Sequence, residues 1–368
     1  TPLYSSAASD VYKRQAESEM GKHLDSKLEH YAKFFDVIGG NIIPTEVRWQ
    51  LLAACGPARW AYWARAHPYL NVKAQHIAFD KMVEATFVKI AEIASPLSNV
   101  SQVLMHLPRR VGGLGLTRYE VVGLLAYAAS ASTEPDAPDQ ESLTDELVKP
   151  LIDRLPPDAK KHVSSTRRPG ASLWLQPLAV SHKPLCFALA LQHRIRHFGG
   201  TIMRLRCDGC RCDLRHDQWD GHALGCTRRK GYNATHRHNR VRSAIATTLR
   251  DCGVDVSEEV AITRELRMDI VVRQDDGREL WLDLGIHATA SKTGANRTVD
   301  QQGDRMESEK IRTYNQESDI QNAEFHPLIL DVNCGYGSNA AKIIAGIEAH
   351  DPMRAASFAL QIGNGQII

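Results

Sequence analysis

Two aspartates, Asp269 and Asp283, lie on either side of a Gln274-Asp275-Asp276-Gly277 stretch. Asp-Gly between two strand-like runs is a hairpin signal. A turn centred on Asp275 to Gly277 brings Asp269 opposite Asp283 to within a residue. Directly opposed residues of an antiparallel pair have Cβ atoms about 5 Å apart, and two carboxylates that close repel unless a cation lies between them. Mg²⁺ takes oxygen ligands and is commonly held by one or two carboxylates together with phosphate oxygens, so the pair points to a divalent-metal site for phosphodiester hydrolysis. That reaction also needs a group to stabilise charge on phosphorus. Lys310 is the candidate: it falls one helical turn after Met306 and one before Tyr314, so the three share a face. Glu258 or Glu259 could add an oxygen ligand.

A second cluster is richer in sulfur. Cys207, Cys210, His222 and Cys226 form C-x2-C-x11-H-x3-C. The first pair can grip one ion from a single turn, and the His-x3-Cys pair shares a helix face. Four such ligands close a tetrahedral, structural Zn²⁺ site. Cys212, His216, His236 and His238 are rival ligands. The remaining cysteines, Cys55, Cys186, Cys252 and Cys334, are scattered, which fits a reducing compartment with a local metal site better than a disulfide framework.

Charge singles out the same part of the chain. The 368 residues carry a formal net charge of only +2, but Arg194 to Arg250 holds thirteen Lys and Arg against four acids. Such a segment favours phosphate contact, and Arg228, Arg229, Lys230, Arg237 and Arg240 are its candidate nucleic-acid ligands. No apolar run approaches the length needed to cross a bilayer, so no membrane partner is expected.

The elements that must position these groups change character along the chain. The first half reads helical, with Met20, Leu24, Leu28, Tyr31 and Phe35 on one face, Gly39 and Gly40 as a stop, and further stripes through Trp60 and Trp63 and from Phe79 to Ile93. Glu134 to Glu141 reads as an acidic linker. Beyond the cysteines, a helix carries Val241, Ala244, Ile245, Thr248, Leu249 and Cys252 and stops at Gly253. Strand-like runs follow at Val254–Thr263, Leu266–Arg273 and Glu279–His287. A polar helix from about Gly303 to Glu317, a strand at Pro327–Val332 and a helix through Ile343, Ile344 and Ile347 complete the order.

Taken together, the cysteine knuckle, Asp269-x13-Asp283 and Lys310-Ile-Arg-Thr-Tyr314 resemble the C-terminus of non-LTR retrotransposon proteins that carry a restriction-like endonuclease of the PD-(D/E)XK superfamily. The resemblance implies that Asp269 and Asp283 hold catalytic Mg²⁺. It implies that Lys310 is the superfamily lysine moved from the third strand to the following helix, with Tyr314 beside it. With these four, Glu259 is the further catalytic residue expected from its place in the first strand. Two positions depart from the motif: Met268 stands where proline is usual, and Gly285 where many members carry the lysine. Leu107 to Leu116 with Ala126-Tyr127 resembles the helical region after a reverse-transcriptase palm. No Tyr/Phe-x-Asp-Asp motif occurs, so the chain is expected to be a fragment without the polymerase core.

The fold class expected is α+β multidomain: a helical N-terminal half, a small zinc knuckle, and a C-terminal α/β nuclease-like domain of order αβββαβα. The expected boundaries are 16–132 for the helical region, 133–200 for the linker and further helices, 201–230 for the knuckle, 231–350 for the nuclease-like domain and 351–368 for a tail. Residues 1–15 resemble translated sequencing-adapter text and are set aside, with the natural chain expected to begin upstream. The implied activity is nicking of chromosomal DNA for target-primed reverse transcription. The partners are then DNA and the element's RNA, and the place of action is the nucleus.

Overall fold

The computed structural model describes residues 3–94, 96–132, 138–175, 184–196, 205–206, 210–211, 213–214, 226, 234–264, 266–274, 277–288, 297–315, 324–346, 353–357 and 359–360. The protein is mixed α+β, with many helices and one small four-stranded sheet. It divides into two compact units. One comprises 1–93, 106–108 and 115–154, and the other 94–105, 109–114 and 155–368.

The first unit is helical. It is built from α1 (Leu3–Gly39), α2 (Thr45–Cys55), α3 (Ala58–Ala66), α4 (Tyr69–Ile90), α6 (Tyr119–Ala131) and α7 (Gln140–Asp153); α5 (Asn99–His106), which lies between α4 and α6 in the chain, belongs to the other unit in all but its last residue. α1 runs unbroken from Leu3, so the segment set aside at its start is helical from its third residue. Nothing between Leu3 and Met20 is Gly or Pro, the two strong helix breakers. Trp49, Trp60, Phe79 and Phe87 are fully buried, and the rings of Trp60 and Phe79 stack at 5.0 Å. Asp80, itself buried, starts α6 from a distance, because its two oxygens accept from the N–H groups of Tyr119 (2.9 Å) and Glu120 (2.7 Å). Those are orphan donors of a helix terminus, which a carboxylate satisfies with charge assistance.

The second unit holds α8 (Pro157–Thr166), α9 (Pro184–Arg194), the two-residue strands β1 (Leu205–Arg206) and β2 (Asp213–Leu214), and then α10 (Ala234–Asp251), β3 (Asp255–Ala261), β4 (Arg267–Arg273), β5 (Glu279–His287), α11 (Val299–Tyr314), β6 (Glu324–Asp331) and α12 (Ser338–Gly346). From α10 onward the order is helix, three strands, helix, strand, helix. The sheet order is β3-β4-β5-β6, antiparallel up to β5 and parallel between β5 and β6. Pro327 is tolerated in β6 because that strand lies at the end of this order, where a residue without an N–H costs no bond to β5.

α10 and α12 cover one face of the sheet. Val241, Ile245 and Leu249 of α10 and Ala340 and Ile344 of α12 share a core with Ile270, Val272, Leu280, Leu282 and Leu284. α11 lies against β5 and β6, and its Tyr314 packs with Met268 and Val271. α8 also belongs to this unit, ahead of the boundary expected at residue 231: the Asn333 side chain donates to Ser165 Oγ at 2.7 Å, and Arg168 pairs with the buried Asp331 at 3.3 Å.

α11 begins at Val299, four residues before the apolar pattern indicated. Thr298 and Gln301 form a capping box, each side chain bonding the other's backbone N–H, and this sets the first turn, in which Val299 is buried. Because the cap fixes the helix that carries Lys310, Thr298→Ala should lower stability by about 1 kcal/mol, read as a shift of the urea midpoint at unchanged slope.

Candidate active site

β4 and β5 pair from Arg273↔Glu279 through Ile270↔Leu282. Gly277, at φ 84°, supplies the left-handed residue the connection needs. Asp269 and Asp283 stand one step beyond Ile270 and Leu282, where a side chain takes over from the ladder: Asp269 Oδ2 accepts from Leu284 N–H at 2.8 Å. The two carboxyl groups are close enough to perturb each other's ionisation. Lys310 reaches the pair from α11, its Nζ 2.5 Å from Asp283 Oδ2. The structure therefore brings together Asp269, Asp283 and Lys310.

Gly285 explains how a helix lysine gets there. A Cβ on this glycine would stand 2.8 Å from Met306 Sδ and 3.0 Å from Lys310 Cε. The absent side chain is the space through which the lysine stem passes, so the departure at Gly285 and the position of Lys310 are two sides of one packing arrangement. Gly303, Met306, Lys310 and Tyr314 recur at three and four residues, the stripe of a helix lying on a sheet. The Tyr314 ring packs on Phe325 at 4.5 Å, and its hydroxyl lies 3.4 Å from the Arg267 carbonyl. Burial, followed by the charge of Asp283, pushes the phenol well above its ordinary pKa, so Tyr314 stays protonated and acts as a donor.

The charges here are unequal. Burial pushes the Asp283 carboxyl up to about 6; Lys310 opposes this and the neighbouring Asp269 reinforces it. Burial works in the same direction on Asp269, but a hydrogen bond from His238 and the charge of that ring outweigh it and hold Asp269 below the ordinary carboxylate value. The pair thus carries one proton more readily than two charges, as expected of abutting carboxylates without a cation.

His238, one of the rival zinc ligands, makes a contact with this pair that sequence reasoning missed. Its Nε2 lies 3.1 Å from Asp269 Oδ2 and 3.1 Å from the Leu284 carbonyl. Helical spacing contained the signal: His238, Val241, Ile245 and Leu249 continue a single stripe at three, four and four residues, and its last three members are core. Burial opposes charge on the ring, but the hydrogen bond to Asp269 and its charge prevail and raise the imidazole pKa.

Other expected site residues are placed elsewhere. Glu259 leaves the regular strand at φ 52° and pairs with Arg242 of α10 at 2.5 Å. Glu258 is taken up by Arg242, Arg250 and Ser243. Neither glutamate is brought to the aspartates, because the arginines of α10 compete for them. Arg237, expected at a nucleic-acid surface, is only 3% exposed, and that burial withdraws it from direct contact with a backbone phosphate; Arg240 is exposed.

Cys207, His222, Arg228, Arg229 and Lys230, with the rivals Cys212 and His216, lie outside the described residues. Cys210 and Arg211 fall between β1 and β2, which pair antiparallel. Among the described residues no group of three or more His, Cys, Asp and Glu is placed to hold a metal ion, and no helix is long and apolar enough to cross a membrane.

No protein-family model matches this sequence, and no curated protein matches it.

The raised Asp283 pKa sets a pH dependence. Between about pH 4 and pH 6 the folded metal-free state keeps a proton that the unfolded chain has released. Stability contributed by this group is full below that window and falls as pH rises through it. Urea denaturation in chelator at steps across this range should show the fall, and Asp283→Asn should flatten it.

Proposed function

We propose that the second unit is a divalent-metal-dependent DNA endonuclease of the PD-(D/E)XK type, from the C-terminal part of a non-LTR retrotransposon protein. The observation that carries this reading is the meeting of Asp269, Asp283 and Lys310 at the fork between β4 and β5. Two further features support it. The element order from α10 to α12 is the αβββαβα order that the resemblance implies. The vacant lysine position at Gly285 is filled in space by the stem of Lys310.

The donor set suits Mg²⁺. Two carboxylates close to each other, one of them with its pKa raised, form an all-oxygen pair whose repulsion a divalent cation relieves. Two protein oxygen donors are also the usual complement for Mg²⁺, which keeps several waters and takes phosphate oxygens besides. Asp269 and Asp283 would hold it, and a cation bound there supplies Lewis-acid stabilisation and a more acidic water. The residues of the chain do the rest. The Lys310 ammonium, tethered to Asp283, presents positive charge where negative charge grows on a phosphoryl group. Tyr314, held neutral, keeps a hydroxyl donor beside Asp283.

In this reading Cys207, Cys210, His222 and Cys226 hold a structural zinc, and the basic segment with Arg228, Arg229, Lys230 and Arg240 grips phosphates without reading bases. The DNA strand opened is chromosomal, so the protein acts in the nucleus, and its exposed 3′ end primes copying of element RNA.

Nicking of supercoiled plasmid with Mg²⁺ tests the proposal. Activity should be absent in chelator and in Asp269→Ala, and Lys310→Met should lower the rate by about 10²–10³-fold. The two variants should leave plasmid binding, with its steep salt dependence, intact. Binding by the wild-type chain without any metal-dependent nicking leaves a nucleic-acid-binding module and removes the enzyme.

A further inference from the structure

Asp269 is held from outside the carboxylate pair. Its Oδ2 accepts from Leu284 N–H at 2.8 Å and sits 3.1 Å from His238 Nε2. That same nitrogen is 3.1 Å from the Leu284 carbonyl. A ring nitrogen between two acceptors must carry the proton, in the neutral or the charged ring alike. His238 thus bonds the Leu284 carbonyl and faces Oδ2 with the same N–H, an ion-pair contact on the oxygen that the Leu284 amide already holds. Asp283 is tied in a parallel way, its Oδ2 held by Lys310.

We propose that His238 is a positioning residue which, together with the Leu284 N–H, fixes the orientation of the Asp269 carboxylate and so sets the affinity of the Asp269–Asp283 pair for a divalent cation. The proposal rests on the nuclease reading of the Asp269–Asp283 pair. Ligating carboxylates are commonly oriented by such outer partners, and His238 supplies this one from the face of the sheet opposite α11.

Calorimetric titration of the full chain with Mn²⁺ alone tests the idea separately from catalysis. The wild-type chain should show one Mn²⁺ site that is absent in Asp269→Ala. His238→Ala and the bulkier His238→Leu, both without the donor, should weaken that site by about 10- to 100-fold at unchanged thermal midpoint in chelator. His238→Gln keeps an N–H donor and should restore affinity to within a few-fold. In nicking assays the donor-less variants should need more Mg²⁺ for half-maximal rate, while the rate at saturating Mg²⁺ stays near wild type. Should the alanine variant fail to fold, the leucine and glutamine pair still decides. Donor-less variants that bind Mn²⁺ as tightly as wild type overturn the proposal while the nuclease reading stands. A titration unchanged by Asp269→Ala overturns both.

Discussion

Two carboxylates pressed together at the end of a strand pair are the constraint around which the second unit is arranged. Side by side they repel, and in the absence of a cation the repulsion is met in three ways. Asp283 holds its proton to about pH 6. Lys310 brings a positive charge from α11. Asp269 is stabilised by the Leu284 amide and by His238 from α10. Each of these comes from a different element, so the fork between β4 and β5 is where the sheet and the helices on its two faces become interdependent.

The two helices reach the fork by the same geometric device. On α10 the buried stripe Leu249, Ile245, Val241 ends in His238; on α11 the stripe Gly303, Met306 continues to Lys310 and Tyr314. In both cases apolar packing fixes the helix, and a polar side chain further along the same face is carried to the carboxylates without a separate device to aim it. Packing of this kind holds a side chain to one rotamer, which is what a positioned charge requires. Gly285 is the complementary feature on the sheet: its missing side chain lets the Lys310 stem lie flat on β5.

Electrostatics in the rest of the unit keep competing groups away from this point. Arg242 and Arg250 draw Glu258 and Glu259 toward α10, and Arg168 holds Asp331 at the far end of β6. With those acids engaged, Asp269 and Asp283 are left as the carboxylates at the fork. Two protein ligands suit a hard cation that expects water and phosphate to complete its shell.

Much of this was legible in the sequence. The strand Glu279–His287, the helix after the cysteines, the hairpin that opposes Asp269 to Asp283, and the Met306-Lys310-Tyr314 face all follow from local periodicity and turn chemistry, which act over a few residues and leave their spacing in the chain. The start of α11 was missed because a capping box rather than an apolar stripe defines it. Three matters were settled only by tertiary packing. His238 reads only as a rival zinc ligand from its place after the cysteines, whereas its contact with Asp269 is to a strand about thirty residues away. Glu259 has the right residue type for a ligand, but a bulged backbone and Arg242 claim it. Arg237 has the charge of a phosphate contact, yet it points into the interior. Residue type and spacing state what a side chain can do; which of several oppositely charged partners it meets depends on distances through space, and a distance between two faces of a sheet is written in no single stretch of the chain.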